Sequence, residues 1–335
     1  MRHPLPPLAA LAFLAAAPAL AQDCPEGQWS YAHHAGETCV PEAPQRIVSL
    51  HDLTITLTLV EMGLTDRIAG SMGRLYDGMA APSLGTVPQL MGVDFDTGGI
   101  AFVGMGEYDL ERIAALRPDL IIGRPDNADI HQQLSSLAPT VLLSPEMPFI
   151  DYMRDIARLG GASERFEELK AAYDERVERL REAIPDASAI DLAILHAEPG
   201  WIALYDDFYA LSQAADDLGL DQPEPVEALF ADAEGVYDHA TRREIGAEAL
   251  PVAEADLLFM PYYFDAEGRA SVEEVEAGME EILPGWCGFL EVCQAGQVVP
   301  FEATAVYAAS FASLDAALTL LEAQIVGKTI TQVVE

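Results

Sequence analysis

Basic residues are scarce in this chain: 18 Lys and Arg stand against 55 Asp and Glu, a formal net charge of −37. With no basic stripe there is nothing to neutralise a phosphate backbone by counterion release, which excludes a nucleic-acid role. An anionic membrane surface is an equally poor partner. After the first 21 residues no apolar run approaches the ~20 residues of a membrane-spanning helix, so no membrane insertion is expected. The G-x-S-x-G nucleophile elbow and the H-E-x-x-H zinc motif are also missing. A secreted α/β hydrolase, the alternative from another function class, therefore lacks its machinery. The expectation is a protein that is no enzyme and carries no metal centre and no cofactor.

What is present begins with a targeting pattern. Arg2 precedes the apolar run Leu8–Ala17, and Ala19-Leu20-Ala21 closes it as an A-x-A cleavage signal. Residues 1–21 thus read as a cleavable signal peptide that exports the chain. The first cysteine, Cys24, follows Gln22-Asp23, where a lipid-modified cysteine would follow small apolar residues. The four cysteines fit an oxidising compartment and predict two local disulfides, Cys24–Cys39 and Cys287–Cys293. A zinc site is the competing reading, since His33 and His34 lie between the first two cysteines, but neither pair has the C-x₂₋₄-C spacing. Both histidines are expected to be solvated.

The 335 residues are about twice the usual domain size, and half are hydrophobic, which favours two lobes with substantial cores. Short aliphatic strands alternate with helices: Arg46–Leu50, a helix over Leu53–Met62, Ile68–Gly70, a helix over Asp109–Leu116, Asp119–Gly123, a helix near Ala128–Leu137, and Val141–Leu143. Such alternation predicts a mostly parallel sheet covered on both faces. The period then changes. Phe166, Leu169, Tyr173, Val177, Leu180 and Ile184 form the stripe of one long helix, with Ser163 in its N-cap region and Pro185 ending it. Alternation restarts with strands at Leu192–Leu195, Asp256–Met260 and Val298–Pro300 and helices at Phe208–Leu218 and Ser310–Val326. The predicted fold class is α/β: two Rossmann-like lobes with mostly parallel sheets joined by one long α-helix. The boundaries are a disulfide-bonded segment 22–43, an N-terminal lobe 44–162, a linker helix 163–184 and a C-terminal lobe 185–335.

Three segments resemble a known family. Pro44–Leu50 with Glu61-Met62-Gly63-Leu64, the run Asp109–Ile122, and Glu244–Phe259 are similar to the periplasmic solute-binding proteins of ABC importers for iron-siderophores, haem and cobalamin. The resemblance runs from about Pro44 to Ile325. It implies a monomer that holds a ferric siderophore in the cleft between its lobes and delivers it to an ABC importer permease. Haem or cobalamin delivery is the alternative within the same fold, with His239 or Tyr262 as a haem axial ligand.

The resemblance also implies where contacts lie. Family members place an Arg at strand ends to meet an anionic chelate, and Arg74 and Arg124 follow strands here. The bland reading pairs Arg74 with Asp77 and Arg124 with Asp126. The second half has acids and tyrosines where relatives carry Arg, leaving Trp201, Tyr205, Phe208, Tyr209, Tyr237, Tyr262, Tyr263 and Tyr307, with His239 in a loop. Trp201, Tyr209, His239, Tyr262, Tyr263 and Tyr307 are the expected contacts there. With cations on one lobe only, a hydroxamate-type chelate is favoured over a highly anionic one. His51-Asp52 follows the first strand, where Asp52 is expected to cap a helix. Glu111 and Glu248 begin equivalent helices in the two halves and are the implied permease-docking carboxylates.

Overall fold

The structure is a computed structural model that describes residues 24–75, 79–144, 146–198, 200–231, 241–263 and 272–333. The targeting segment 1–21, Tyr237 and His239 lie outside the described residues. A hairpin of β1 (Gln28–His33) and β2 (Gly36–Pro41) opens the chain, tied by the Cys24–Cys39 disulfide across 15 residues. It is anchored to the lobe behind it. The Arg158 guanidinium lies 3.9 Å from the Trp29 ring centroid, and the Tyr31 hydroxyl donates to Asp155 at 2.5 Å. His33 is half-buried rather than solvated. Its Nδ1 accepts from the Leu142 amide at 3.2 Å, and burial beside His131 pushes its pKa down to about 4. His34 is exposed, as expected.

The first lobe is built on β3 (Ile47–Ser49), β4 (Ile68–Ser71), β5 (Ala101–Phe102), β8 (Leu120–Gly123) and β9 (Thr140–Leu142), with a small hairpin of β6 (Gly104–Met105) and β7 (Glu107–Tyr108) beside them. The five sheet strands are all parallel, in the order β5-β4-β3-β8-β9. Strands β3, β8 and β9 are short runs buried on both faces, as a helix-covered parallel sheet requires, while the edge strand β5 is half-buried. The covering helices are α1 (Leu57–Glu61), α2 (Val87–Met91), α3 (Leu110–Leu116), α4 (His131–Ser135) and α5 (Phe149–Leu159). Asp109 caps α3 by accepting from the Arg112 amide at 2.8 Å. The predicted helix 53–62 divides into a π turn, Asp52–Thr56, and α1, and α5 was not expected.

The long helix α6 spans Ser163–Ala183, with Phe166, Tyr173, Val177 and Leu180 buried along the anticipated stripe. Its N-cap is Ala162 and not Ser163, which is the first residue of the helix, and no side chain caps it. α6 packs on α5 of the first lobe and on α7 (Tyr209–Leu218) and α11 (Phe311–Ile325) of the second. The second sheet holds β10 (Leu192–Glu198), β11 (Trp201–Tyr205), β12 (Arg242–Ile245), β13 (Leu257–Tyr262) and β14 (Val298–Glu302). Its order, β12-β11-β10-β13-β14, repeats that of the first. The difference is β11, which runs antiparallel to both neighbours because a tight turn at Gly200 (φ +93°) folds β10 straight back. Between α7 and α11 come α8 (Glu224–Phe230), α9 (Val272–Ile282) and α10 (Glu291–Gln294), the last tied to the preceding turn by Cys287–Cys293.

The two lobes do not have wholly separate cores. One apolar cluster runs from Ile47, Ile122 and Tyr152 through Phe166 and Tyr173 to Ile194, Phe259 and Leu314. Phe166 is fully buried and meets Phe311 at a ring distance of 5.4 Å. Burying one such ring contributes on the order of 2–3 kcal/mol, so α6 is glued to both lobes as well as linking them.

Candidate functional site

In an open α/β sheet, ligands bind beyond the carboxyl ends of the strands, where the strand order reverses. In the first lobe β4, β3 and β8 are neighbours, so the residues that follow them share one rim. His51 and Asp52 follow β3, Arg74 follows β4 and Arg124 follows β8. Arg74 donates Nε to Asp52 Oδ2 at 2.8 Å and Nη2 to Oδ1 at 3.2 Å, and Asp52 is fully buried. Asp52 therefore balances Arg74 rather than capping a helix; His51 occupies the N-cap position. The pair needs glycine at position 85, because a Cβ there would lie 2.6 Å from Asp52 Oδ2 at a φ of +59°. Arg124 is buried, with Nη1 3.0 Å from His51 Nε2. Burial, then the charges of Arg124 and Arg74, hold the His51 pKa well below its usual value. His51 is thus neutral.

The second lobe answers with rings. Along β11 the two-residue period sets Trp201, Ala203 and Tyr205 on one face, beside His196 of the paired β10. His196 lies 5.0 Å from the Trp201 ring and 5.4 Å from that of Tyr263. Tyr263 and Tyr307 meet edge-on at 5.9 Å, and Tyr307 covers Tyr209 at 4.5 Å. Tyr209 itself is buried, at the unusual φ of +44°. Tyr262 packs into a different apolar cluster from Tyr263, on the other side of the sheet, so the two phenols do not form a joint iron site. Burial beside Tyr205 and Tyr307 raises the Tyr263 pKa strongly, so its hydroxyl stays protonated. Burial, then the Arg242 charge, pushes His196 down to about 4.

Arg242, which the sequence reading passed over, completes this face. Its guanidinium carbon lies 5.2 Å from the Trp201 ring centroid, and Nη1 donates to the Tyr205 hydroxyl at 3.4 Å. Arg243 turns the other way, towards Phe230. The signal was available: Arg242-Arg243 is the sole adjacent basic pair in the sequence. Among the described residues, no group of three or more His, Cys, Asp or Glu could hold a metal ion, and every cysteine is in a disulfide.

The lobes meet at one seam. The Ala309 amide donates to the Leu53 carbonyl at 3.2 Å, and Thr58 Oγ1 donates to the Ala309 carbonyl at 2.8 Å. The Glu61 carboxylate accepts from the Phe311 and Ala312 amides at 2.8 and 2.7 Å. Gln89 Nε2 donates to Glu302 Oε2 at 3.2 Å. The segment leaving β3 thus touches the segment leaving β14, which sets the carboxyl ends of the two sheets against each other. Glu111 lies in the first turn of α3 and Glu248 in the first turn of the 3-10 helix Ala247–Ala253. Both are exposed, and each helix leads into the strand beside the first of its sheet, β8 or β13.

Two sheets of matching order joined by α6, with charged and aromatic groups at facing strand ends, are the architecture of a cleft-binding protein. Residues 47–261 match the family described as periplasmic binding protein. The chain belongs to that family. Membership makes it a binding protein and not an enzyme. The relative named "Probable siderophore-binding lipoprotein YfiY" of Bacillus subtilis is 30% identical over 169 residues, which are 49% of this chain and 50% of the relative. The match therefore spans about half of that protein's length. Among solved structures, Staphylococcus aureus SirA complexed with staphyloferrin B superposes with a TM-score of 0.68 at 20% identity, over 88% of this chain and 96% of SirA. A Bacillus subtilis binding-protein component of a Fep/Fec-like ferrichrome ABC transporter gives 0.64 at 21% identity, over 89% of this chain and all of that one. At these identities the two structures share the fold with the binding protein described here. Among its described residues, no helix is long and apolar enough to cross a membrane.

Proposed function

We propose that this binding protein captures a ferric siderophore between its lobes in the periplasm and hands it, as a monomer, to an ABC importer. One observation carries the reading: Arg124 follows the carboxyl end of β8 in the first lobe, and Trp201, stacked by Arg242, begins β11 beside the carboxyl end of β10 in the second. Guanidinium groups recognise carboxylate and catecholate oxygens, while indole and phenol rings pack a chelate's backbone. The relatives' printed functions, siderophore binding and ferrichrome transport, point the same way. The hydroxamate preference rested on a second lobe without cations. With Arg242 beside Trp201 a cation is present in that lobe too, which supports a chelate bearing anionic groups. The iron belongs to the ligand, so no protein metal site is required.

The test is a fluorescence titration with ferric hydroxamates, catecholates, ferric citrate, haem and cobalamin. Of the three tryptophans, Trp29 sits on the hairpin and Trp286 in the core of the second lobe, leaving Trp201 as the reporter. We expect saturable quenching by anionic ferric chelates and loss of the signal in Trp201→Phe. Saturation by haem or cobalamin alone would reject the proposal. Docking has its own check. Reversing Glu111 and Glu248 to Lys is expected to abolish uptake while chelate affinity stays within about threefold, since exposed substitutions away from the ligand rarely change free energies by more than ~0.5 kcal/mol. A variant pair that binds poorly, or transports normally, refutes that role.

A further inference from the structure

The proposed ligand reading names Arg124 but leaves open what aims it. A guanidinium can only donate, so in the 3.0 Å contact with Arg124 Nη1, His51 Nε2 must be the acceptor. A neutral imidazole whose Nε2 accepts carries its proton on Nδ1. Nδ1 lies 2.8 Å from Thr54 Oγ1, which in turn lies 3.2 Å from the buried Tyr152 hydroxyl. The Thr54 amide also donates to Nδ1, at 3.3 Å, as the cap of this turn; the Nδ1–H tautomer forgoes that long bond, whereas the Nε2–H tautomer would set two donors together at the charged Arg124. A chain of polar contacts thus leads from the rim into the core of the first lobe, as Arg124–His51–Thr54–Tyr152. Arg74, the other cation beside His51, is held separately by Asp52.

We infer that His51 is the positioning residue for Arg124, locked by Thr54 and Tyr152 in the Nδ1–H tautomer so that its Nε2 fixes the direction of the guanidinium. The inference rests on the proposed ligand reading only for what Arg124 then meets; the tautomer and the anchoring stand apart from it. The depressed His51 pKa agrees with the geometry, since burial and two neighbouring cations keep the ring neutral at pH 7. An imidazolium, with both nitrogens donating, would face Arg124 donor to donor.

The experiment begins without ligand. Nitrogen-15 NMR of histidine-labelled protein at pH 7 is expected to show His51, assigned by its loss in His51→Gln, as the Nδ1–H tautomer. The Arg124 side-chain resonances, assigned by Arg124→Lys, should shift and exchange faster with solvent in His51→Ala than in His51→Gln, whose amide oxygen can still accept. Affinity for an anionic ferric chelate should then fall about 10-fold in His51→Ala, the cost of a lost bond to a charged group, and recover to within about threefold in His51→Gln. An Nε2–H tautomer, unaltered Arg124 resonances in His51→Ala, or an alanine variant that binds like wild type overturns the inference. Equal losses in Ala and Gln also overturn it, because they mark a purely structural residue. If no chelate binds wild type, the ligand reading fails by itself and the two NMR results decide the role of His51.

Discussion

Replacing Arg242 with alanine is expected to weaken binding of an anionic ferric chelate by about 10- to 100-fold, the range for losing a hydrogen bond to a charged group. Arg124→Ala should do the same from the other rim. For a neutral ferric hydroxamate the loss should stay below about threefold, because there the guanidinium meets no formal charge. The contrast makes the charge class of the ligand measurable by isothermal titration with two chelates and three proteins. Arg242 is exposed, and its contacts are the Trp201 ring and the Tyr205 hydroxyl, so thermal stability should barely change. Equal losses for charged and neutral chelates would show that Arg242 serves to pack Trp201 and not to read ligand charge.

The second large effect is expected at the inter-lobe seam. Glu61 satisfies two first-turn amides of α11, a fifteen-residue helix whose own N-cap, Ser310, reaches only the Ser313 amide. Glu61→Ala strands two amides at a site already screened from water, at a cost of about 2 kcal/mol or more, and should lower the melting temperature by about 5 °C in calorimetry. The pH dependence is specific. Burial outweighs the two amides and pushes the Glu61 carboxyl up to about 7. A carboxyl that holds its proton more tightly folded than unfolded makes the native state most stable in acid. That contribution is lost as pH rises from about 4.5 towards 7. Glu61→Gln should flatten this decline. It should not abolish it, because burial and neighbouring acids also push Asp207 and Asp216 up to about 6. A stability curve that keeps its slope in Glu61→Gln would show that the carboxyl is ionised throughout.

Much of the architecture was legible because it rests on local patterns. Aliphatic runs such as Leu120–Gly123 can only be buried strands, and the Phe166–Ile184 spacing can only be one helix face. The disulfides followed from chain proximity, and the structure pairs Cys24 with Cys39 and Cys287 with Cys293. What escaped depends on partners distant in sequence. Trp201–Tyr205 resembles the strands around it, and nothing local says it runs backwards; Gly200 supplies the reversal. Asp52 reads as a helix cap until Arg74, 22 residues later, is seen beside it. Arg242 has an ordinary strand neighbourhood, and only the pairing of β12 with β11 brings it to Trp201. Adjacent Tyr262 and Tyr263 look alike in sequence, yet they pack against different apolar clusters. Of the expected contacts, Arg74, Arg124, Trp201, Tyr263 and Tyr307 lie at or beside strand ends, while Tyr209 lies beneath Tyr307.

The lobes are fastened twice, along the whole of α6 and again where Leu53, Thr58 and Glu61 grip the start of α11. A jaw riveted at two points cannot swing far. On the proposed reading, a guest would meet a berth already shaped and spend little binding free energy on ordering the host.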